Sequence, residues 1–205
     1  AAISTLRSIS SAQAQLQSSG AIDTDLDGGG EYGYFGELAG TVPLRENNGA
    51  GVIQVGAQTL QPPMLSGALG IVQNSLVNRS GYVFQMWLPG PAGGAVAGFA
   101  EAPTGGMGAN IPDSNTSEVM WACYAWPADY QQTGNRVFFV NQDGDILQSN
   151  NRVQLYDQTT VVQPAFDAAF TLAGDMSSPI GNSAAVAAGT VVNGPVDGGV
   201  WTVLQ

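Results

Sequence analysis

The sequence predicts an α+β fold, in which a single N-terminal helix packs on one face of an antiparallel β-sheet. Apolar residues recur every three or four positions over the first 18 residues, which is helical spacing. Short runs of aromatic and β-branched residues then alternate with loops rich in glycine and proline. The 205 residues include 28 glycines and 11 prolines, enough for many turns between short strands.

The N-terminal helix is predicted over residues 1–18, followed by Gly20 as a left-handed C-cap. Polar and small residues separate the positions of its apolar stripe. The stripe consists of Ile3, Leu6, Ile9, Ala12 and Leu16. No other segment shows convincing periodicity for a long helix, although residues 34–39 allow a second, short one.

Two runs are strong strand candidates, residues 81–88 and 118–126, because both are rich in aromatic and β-branched residues. Residues 136–140 and 146–147 flank an Asn-Gln-Asp-Gly-Asp turn and therefore predict a β-hairpin. Weaker strand patterns occupy residues 51–55, 187–192 and 200–204.

Changes in composition divide the chain into three parts. Residues 1–20 form the helix, and residues 21–165 the globular α+β domain. Residues 166–205 are dominated by alanine, glycine, serine and valine. We expect this last part to be a C-terminal extension of irregular loops with two terminal strands.

The charged residues exclude several functions. The formal net charge is −11, the five basic residues are all arginines, and histidine is absent. A surface with this much negative charge repels phosphate backbones and anionic lipids. We therefore expect neither nucleic acid nor a membrane surface as a partner. Without histidine or lysine, imidazole catalysis, Schiff bases and P-loops are excluded. The remaining candidates for catalysis are carboxylates in glycine-rich turns, and these do not indicate an enzyme. No apolar run reaches the ~20 residues that a membrane span requires.

Four acidic residues after the helix form the best candidate metal site: Asp23, Asp25, Asp27 and Glu31. Oxygen ligands of this kind favour Ca²⁺. The beginning of this loop matches an EF-hand, but its twelfth position is Tyr34 instead of glutamate and no helix of the EF-hand type follows. Two interpretations remain open, an acid-rich turn without a metal and a calcium site. The mutual repulsion of three close carboxylates favours a cation.

The turn of the predicted hairpin contains Asn141, Asp143 and Asp145, which could also ligate a cation. A tight turn requires these residue types for its backbone alone, and we prefer that explanation.

An aromatic group comprises Trp121, Tyr124, Trp126 and Tyr130. Such rings can stack on sugars, but alternation along a strand more simply predicts core packing. The single Cys123 excludes an intrachain disulfide. We expect it to be a buried thiol, with an intermolecular disulfide as the alternative.

Several segments, taken in order, resemble type IV pilin-like proteins, and more closely the bacterial prepilin-like proteins related to type II secretion pseudopilins. Residues 2–13 resemble the second half of the long pilin helix. Residues 30–33 match a Gly-Glu-Tyr-Gly element, and residues 81–84 a Gly-Tyr-x-Phe strand. A Cys-Tyr-Ala-Trp-Pro element lies at 123–127 and the Asn-Gln-Asp-Gly-Asp hairpin at 141–145. The resemblance covers residues 1 to about 150.

The resemblance implies a structural subunit that assembles into extracellular or periplasmic filaments and displays its β domain outward. The strongly apolar half-helix that begins mature chains of this family is absent from the given sequence. Either it was removed, or assembly uses other surfaces. The helix stripe and the apolar C-terminal strand are then the candidate assembly surfaces.

From the sequence we therefore expect a self-assembling subunit of an extracellular filament, tube or sheath, located outside the cell or on its surface. Its partners would be copies of itself. One alternative is a minor pseudopilin-like component of a type II secretion apparatus that binds other pilin-like subunits. The other is a calcium-dependent adhesin or carbohydrate-binding module.

Overall fold

Helix α1, Ala2–Ser19, is the first element of the computed structural model, which describes residues 1–181 and 195–204. The helix ends as predicted at Gly20, whose φ of 62° lies in the left-handed region that glycine adopts without a Cβ clash.

The apolar stripe of α1 faces the protein's own core. Leu6, Ile9 and Leu16 are completely buried between the helix and the sheet. The prediction that this stripe is an assembly surface is therefore wrong, because its apolar area is already removed from water within one chain. The exposed side of α1 carries mainly serine.

An antiparallel sheet of seven strands packs against α1, which confirms the predicted α+β class. Its strands are β3 (Val77–Arg79), β4 (Tyr82–Pro89), β5 (Gly98–Ala100), β6 (Ala122–Pro127), β7 (Val137–Asn141), β8 (Leu147–Ser149) and β9 (Thr202–Val203). Their order across the sheet is β3-β4-β6-β7-β8-β9, and β5 pairs with the second half of β4.

Most strand predictions agree with this sheet. The run at 81–88 is β4, and the predicted hairpin is β7 and β8, with Val137 opposite Ser149. The run at 118–126 is wrong at its start, since α3 (Ser114–Ser117) precedes it and the strand begins at Ala122. The pattern at 200–204 contains the two-residue β9, and the pattern at 187–192 lies outside the described residues.

A separate two-stranded ribbon consists of β1 (Pro43–Asn47) and β2 (Ile53–Thr59), after the short helix α2 (Phe35–Leu38). The weak pattern at 51–55 found only the beginning of β2. Strand β1 was missed because proline, arginine, glutamate and asparagine are not typical of strands. A short 3-10 turn, Gly67–Leu69, completes the elements before the large sheet.

Side chains of the central strands alternate between two cores. In β6, Cys123 and Ala125 join the helix-side core, whereas Tyr124 and Trp126 join a second core on the opposite face. The chain after β8 covers that second face. It contributes the buried side chains Tyr156, Ala168, Ala169, Phe170, Met176 and Trp201.

This burial shows that most of the aromatic group and the cysteine are core residues. Trp121, Tyr124 and Trp126 are fully buried, as expected of core residues, and are not free to stack on a sugar. Cys123 is also fully buried, and burial raises the pKa of its thiol. A thiol enclosed in this way supports the expected packing role over an intermolecular disulfide.

Candidate functional site

The acidic loop, residues 21–31, turns across the C-terminal end of α1. Glu31 N donates to Ile22 O at 2.9 Å, which closes the loop at its base. Gly30 packs so tightly on the last turn of the helix that a Cβ there would overlap Gln17 O. The third glycine of the Gly-Gly-Gly run is therefore required by close backbone approach.

The loop brings together three of the four predicted metal ligands. Asp23, Asp25 and Asp27 each offer a carboxylate oxygen, and these atoms lie within 4.8 Å of one another. Backbone donors support the arrangement, since Gly28 N donates to Asp23 Oδ2 at 3.1 Å and Gly29 N to Asp27 Oδ1 at 2.7 Å. This group could hold a hard cation such as Ca²⁺.

Glu31 does not belong to the group formed by the three aspartates and is almost entirely buried. Its Oε1 accepts from Thr24 N at 2.6 Å and from Thr24 Oγ1 at 2.5 Å. Its Oε2 lies 3.7 Å from Arg45 Nη2. The Glu31 carboxylate is thus bound by Thr24 and Arg45 in the protein interior, because the chain turns inward after the glycines.

Glu118 is a fourth acidic side chain at the loop, and sequence reasoning missed it. Its Cδ lies 2.5 Å from the position a Cβ would have on Gly29. Burial, followed by the charges of Asp27 and Asp25, raises the pKa of Glu118. Because Glu118 is far from the loop along the chain, no local spacing could have indicated it.

Behind the loop lies a buried charge cluster, which we define as Glu31, Glu37, Arg45 and Glu101. Arg45 Nε lies 3.3 Å from Glu37 Oε1, and Arg45 Nη2 donates to Tyr32 O at 2.5 Å. One guanidinium therefore faces two buried carboxylates and links the acidic loop to α2 and β1.

Within the described part of the chain, Glu101 is the carboxylate of this cluster that forms no ion pair with Arg45. Its carboxylate accepts hydrogen bonds from Gly36 N and Gly106 N at 2.8 Å and from Phe35 N at 3.2 Å. Burial raises the pKa of Glu101 to about 7, even though these backbone donors favour the ionised form, and nearby Glu37 adds to the increase. A buried carboxyl that titrates near neutrality is thus built into the core.

The turn between β7 and β8 satisfies its own polar groups. Asn141 Oδ1 accepts from Asp143 N at 3.1 Å, and Asn141 Nδ2 donates to Asp143 Oδ2 at 3.2 Å. Gly144 adopts a φ of 80°. These contacts are typical of a turn and support the backbone explanation for Asn141, Asp143 and Asp145.

Comparisons of the chain with protein families, with curated proteins and with solved structures find no match. Among the described residues, no helix is both long enough and apolar enough to cross a bilayer. The function must therefore be inferred from this chain's own surfaces.

Calcium binding at the acidic loop stays a prediction, and a titration tests it. We expect Ca²⁺ to raise the thermal unfolding temperature of the intact protein, since a ligand specific for the folded state stabilises that state. The variant D25N/D27N removes two ligands and should abolish the increase. The matched variant D143N/D145N removes two charges in the other turn and should retain it. An equal loss in both variants, or no response at millimolar Ca²⁺, contradicts the prediction.

Proposed function

We propose that this protein is a structural, self-assembling subunit of an extracellular filament, tube or sheath. The observation that carries the proposal is the open edge of strand β2. An unpaired strand edge presents backbone donors and acceptors that another strand can pair with.

Strand β2 has a partner on one side only. It pairs with β1, and no further strand of the described chain lies along its other edge. None of its seven residues is buried, and its sequence, Ile-Gln-Val-Gly-Ala-Gln-Thr, contains no charge and no proline. Val55 is 51% exposed, so an apolar side chain already stands at the surface beside the open edge.

The β1 side of the ribbon contacts the protein's own interior at Arg45. Arg45 N donates to Glu37 Oε1 at 3.2 Å, which places the buried charge cluster against β1. Soluble monomers usually protect strand edges with charge, proline or a bulge. The register of this ribbon shifts between Pro43 and Arg45, but pairing is regular from Arg45–Val55 to Asn47–Ile53. That half of β2 is a suitable template for another chain.

The composition and the sequence resemblance support the same function. Only 10% of the residues are charged, so few ions would need to be desolvated when subunits pack. The ordered similarity to pilin-like proteins leads to the same expectation. A strand that joins two different surfaces need not close into a ring, and repeated contacts of that kind produce filaments or tubes.

Electron microscopy combined with sedimentation tests the proposal. We expect the protein to form ordered polymers and V55K to raise the critical concentration at least tenfold, because a lysine beside the edge opposes pairing. The control S11K adds the same charge to the exposed face of α1 and should polymerise normally.

A wild-type protein that remains monomeric at every concentration would overturn the proposal. So would polymers that V55K and S11K weaken equally. Assembly only with other pilin-like subunits would instead identify the minor pseudopilin-like alternative.

A further inference from the structure

The arginines are unevenly distributed along the molecule. Arg45 is buried, and the other four arginines lie toward the end where α1 begins. Ala1, Ala2 and Ile3 line a cavity with Tyr82 at that end of the sheet. Arg136 O accepts from Tyr82 Oη at 3.2 Å.

The residues around the remaining arginines show that these arginines lie at the same end. Arg79 pairs with Tyr82 across the two strands and lines a cavity with residues of the first two turns of α1. Arg7 lies in the first half of that helix, and Arg152 shares a groove with Arg136. The described basic surface is thus concentrated at one end.

The acidic loop lies at the opposite end, because it begins where α1 stops. Asp23, Asp25, Asp27 and Glu118 converge there. An 18-residue helix is about 27 Å long at 1.5 Å per residue, which separates the two ends.

The basic end contains a defined groove. Arg136 and Arg152 line a space of ≈ 300 Å³ together with Tyr130, Asn135 and Asn150. Arg136 extends into an adjoining space of ≈ 230 Å³, where its Nη1 donates to Gln148 Oε1 at 2.8 Å.

Both groove arginines are exposed, and neither forms an ion pair within the described part of the chain. Asp157 and Asp129 lie at the same end, and Asp197 lies beside the adjoining space, where Gly199 N and Trp201 Nε1 donate to its carboxylate. Asp157 is engaged, accepting from Tyr130 N at 3.1 Å and from Thr159 N at 2.6 Å. Asp129 belongs to the neighbouring turn, where its backbone bonds with Thr133. The Arg152 guanidinium and the donors of Arg136 other than Nη1, which is bonded to Gln148 Oε1, are therefore available to an external carboxylate.

We propose that this arginine groove docks the acidic loop of a second copy of the chain; this inference rests on the proposed function and specifies one of its contacts. The groove presents planar guanidinium donors, and the loop presents carboxylates that can accept them in pairs. Because the two surfaces lie at opposite ends, each copy can bind one neighbour at either end. The contact does not close on itself and extends as a head-to-tail chain.

Charge reversal tests the contact. The groove variant R136E/R152E and the loop variant D25R/D27R should each raise the critical concentration for polymers at least tenfold at low salt. An equimolar mixture should restore assembly, because each reversed surface then meets a complementary one. The control R7E/R79E makes the same change in net charge at the same end but outside the groove, and should assemble as the wild type does. Chelator is included so that no cation occupies the loop.

The outcomes separate this inference from the proposed function. Normal polymers of R136E/R152E, or a mixture that fails to recover while each variant keeps its unfolding temperature, overturn the docking contact and leave assembly through β2 intact. If the wild type forms no polymer, the proposed function fails. Complex formation between the two variants in sedimentation would then still support the docking contact, and its absence would overturn that contact too.

Discussion

Replacing Arg45 with alanine is expected to destabilise the fold by about 3–5 kcal/mol, the range for removal of one partner from a buried ion pair. Arg45 is 2% exposed, and its guanidinium lies 3.3 Å from Glu37 Oε1 and 3.7 Å from Glu31 Oε2. Without it, two buried carboxylates lose their compensating charge. Tyr34 would also lose the guanidinium that lies 5.7 Å from its ring centroid.

Chemical denaturation of R45A and of the control R7A measures this effect. Arg7 is exposed on α1, so R7A should change the free energy of unfolding by no more than about 0.5 kcal/mol. Neutralising the stranded acids in R45A/E31Q/E37Q should recover part of the loss, because the cost comes from uncompensated charge. Similar stabilities of R45A and R7A would show that the buried charge cluster does not hold the loop, α2 and β1 together.

Stability is expected to fall as the pH rises from about 4.5 to about 7. Burial raises the pKa of Glu101 from its ordinary value of 4.5 to about 7. Between these values the folded state binds more protons than the unfolded state, so increasing pH favours unfolding. The stabilisation from Glu101 is fully present below the pKa of the unfolded state. It is lost as the pH rises through the pKa of the folded state. At 1.36 kcal/mol per pKa unit, it amounts to roughly 3 kcal/mol.

Other raised carboxyls act in the same direction. Burial also raises the pKa of Glu31 and of Asp197, so both add to the decline with pH. Denaturation curves from pH 4 to pH 8 should show the decline in the wild type and a much smaller decline in E101Q. The control E46Q changes a carboxyl on the surface ribbon and should keep the wild-type profile. A stability that rises with pH across this interval would contradict the assignment to Glu101.

Local sequence determined the elements whose pattern repeats within a few residues. The stripe from Ile3 to Leu16 gave the helix and its buried side, and Gly20 marked its end. Aromatic and β-branched runs gave β4, and the Asp-Gly turn gave the hairpin of β7 and β8. These predictions succeeded because side-chain periodicity and turn geometry are properties of adjacent residues.

Other local patterns predicted the wrong boundary or did not predict the element at all. The run at 118–126 predicted a strand start that is too early, because it directly follows the short helix α3, which Asp113 caps by accepting from Thr116 N at 3.1 Å. The polar sequence of β1 gave no strand signal, since its pairing with β2 and its position over the buried charge cluster decide its conformation.

The acidic loop shows where sequence stops being sufficient. The alternating aspartates correctly indicated carboxylates close to one another, because their convergence is set within five residues. The inward turn of Glu31 depends on Arg45, and the approach of Glu118 depends on the path of the chain between the loop and β6. Neither can be derived from spacing, because each joins residues that are distant in sequence.

The sequence by itself determined the α+β class, the main helix, the central strands and the excess of negative charge. Only the tertiary structure decided which charges are buried, which strand edge is open, and that the four arginines other than Arg45 lie at the end opposite the acidic loop. The physical reason is that periodicity acts over a few residues, whereas burial and charge separation are set by how distant segments pack.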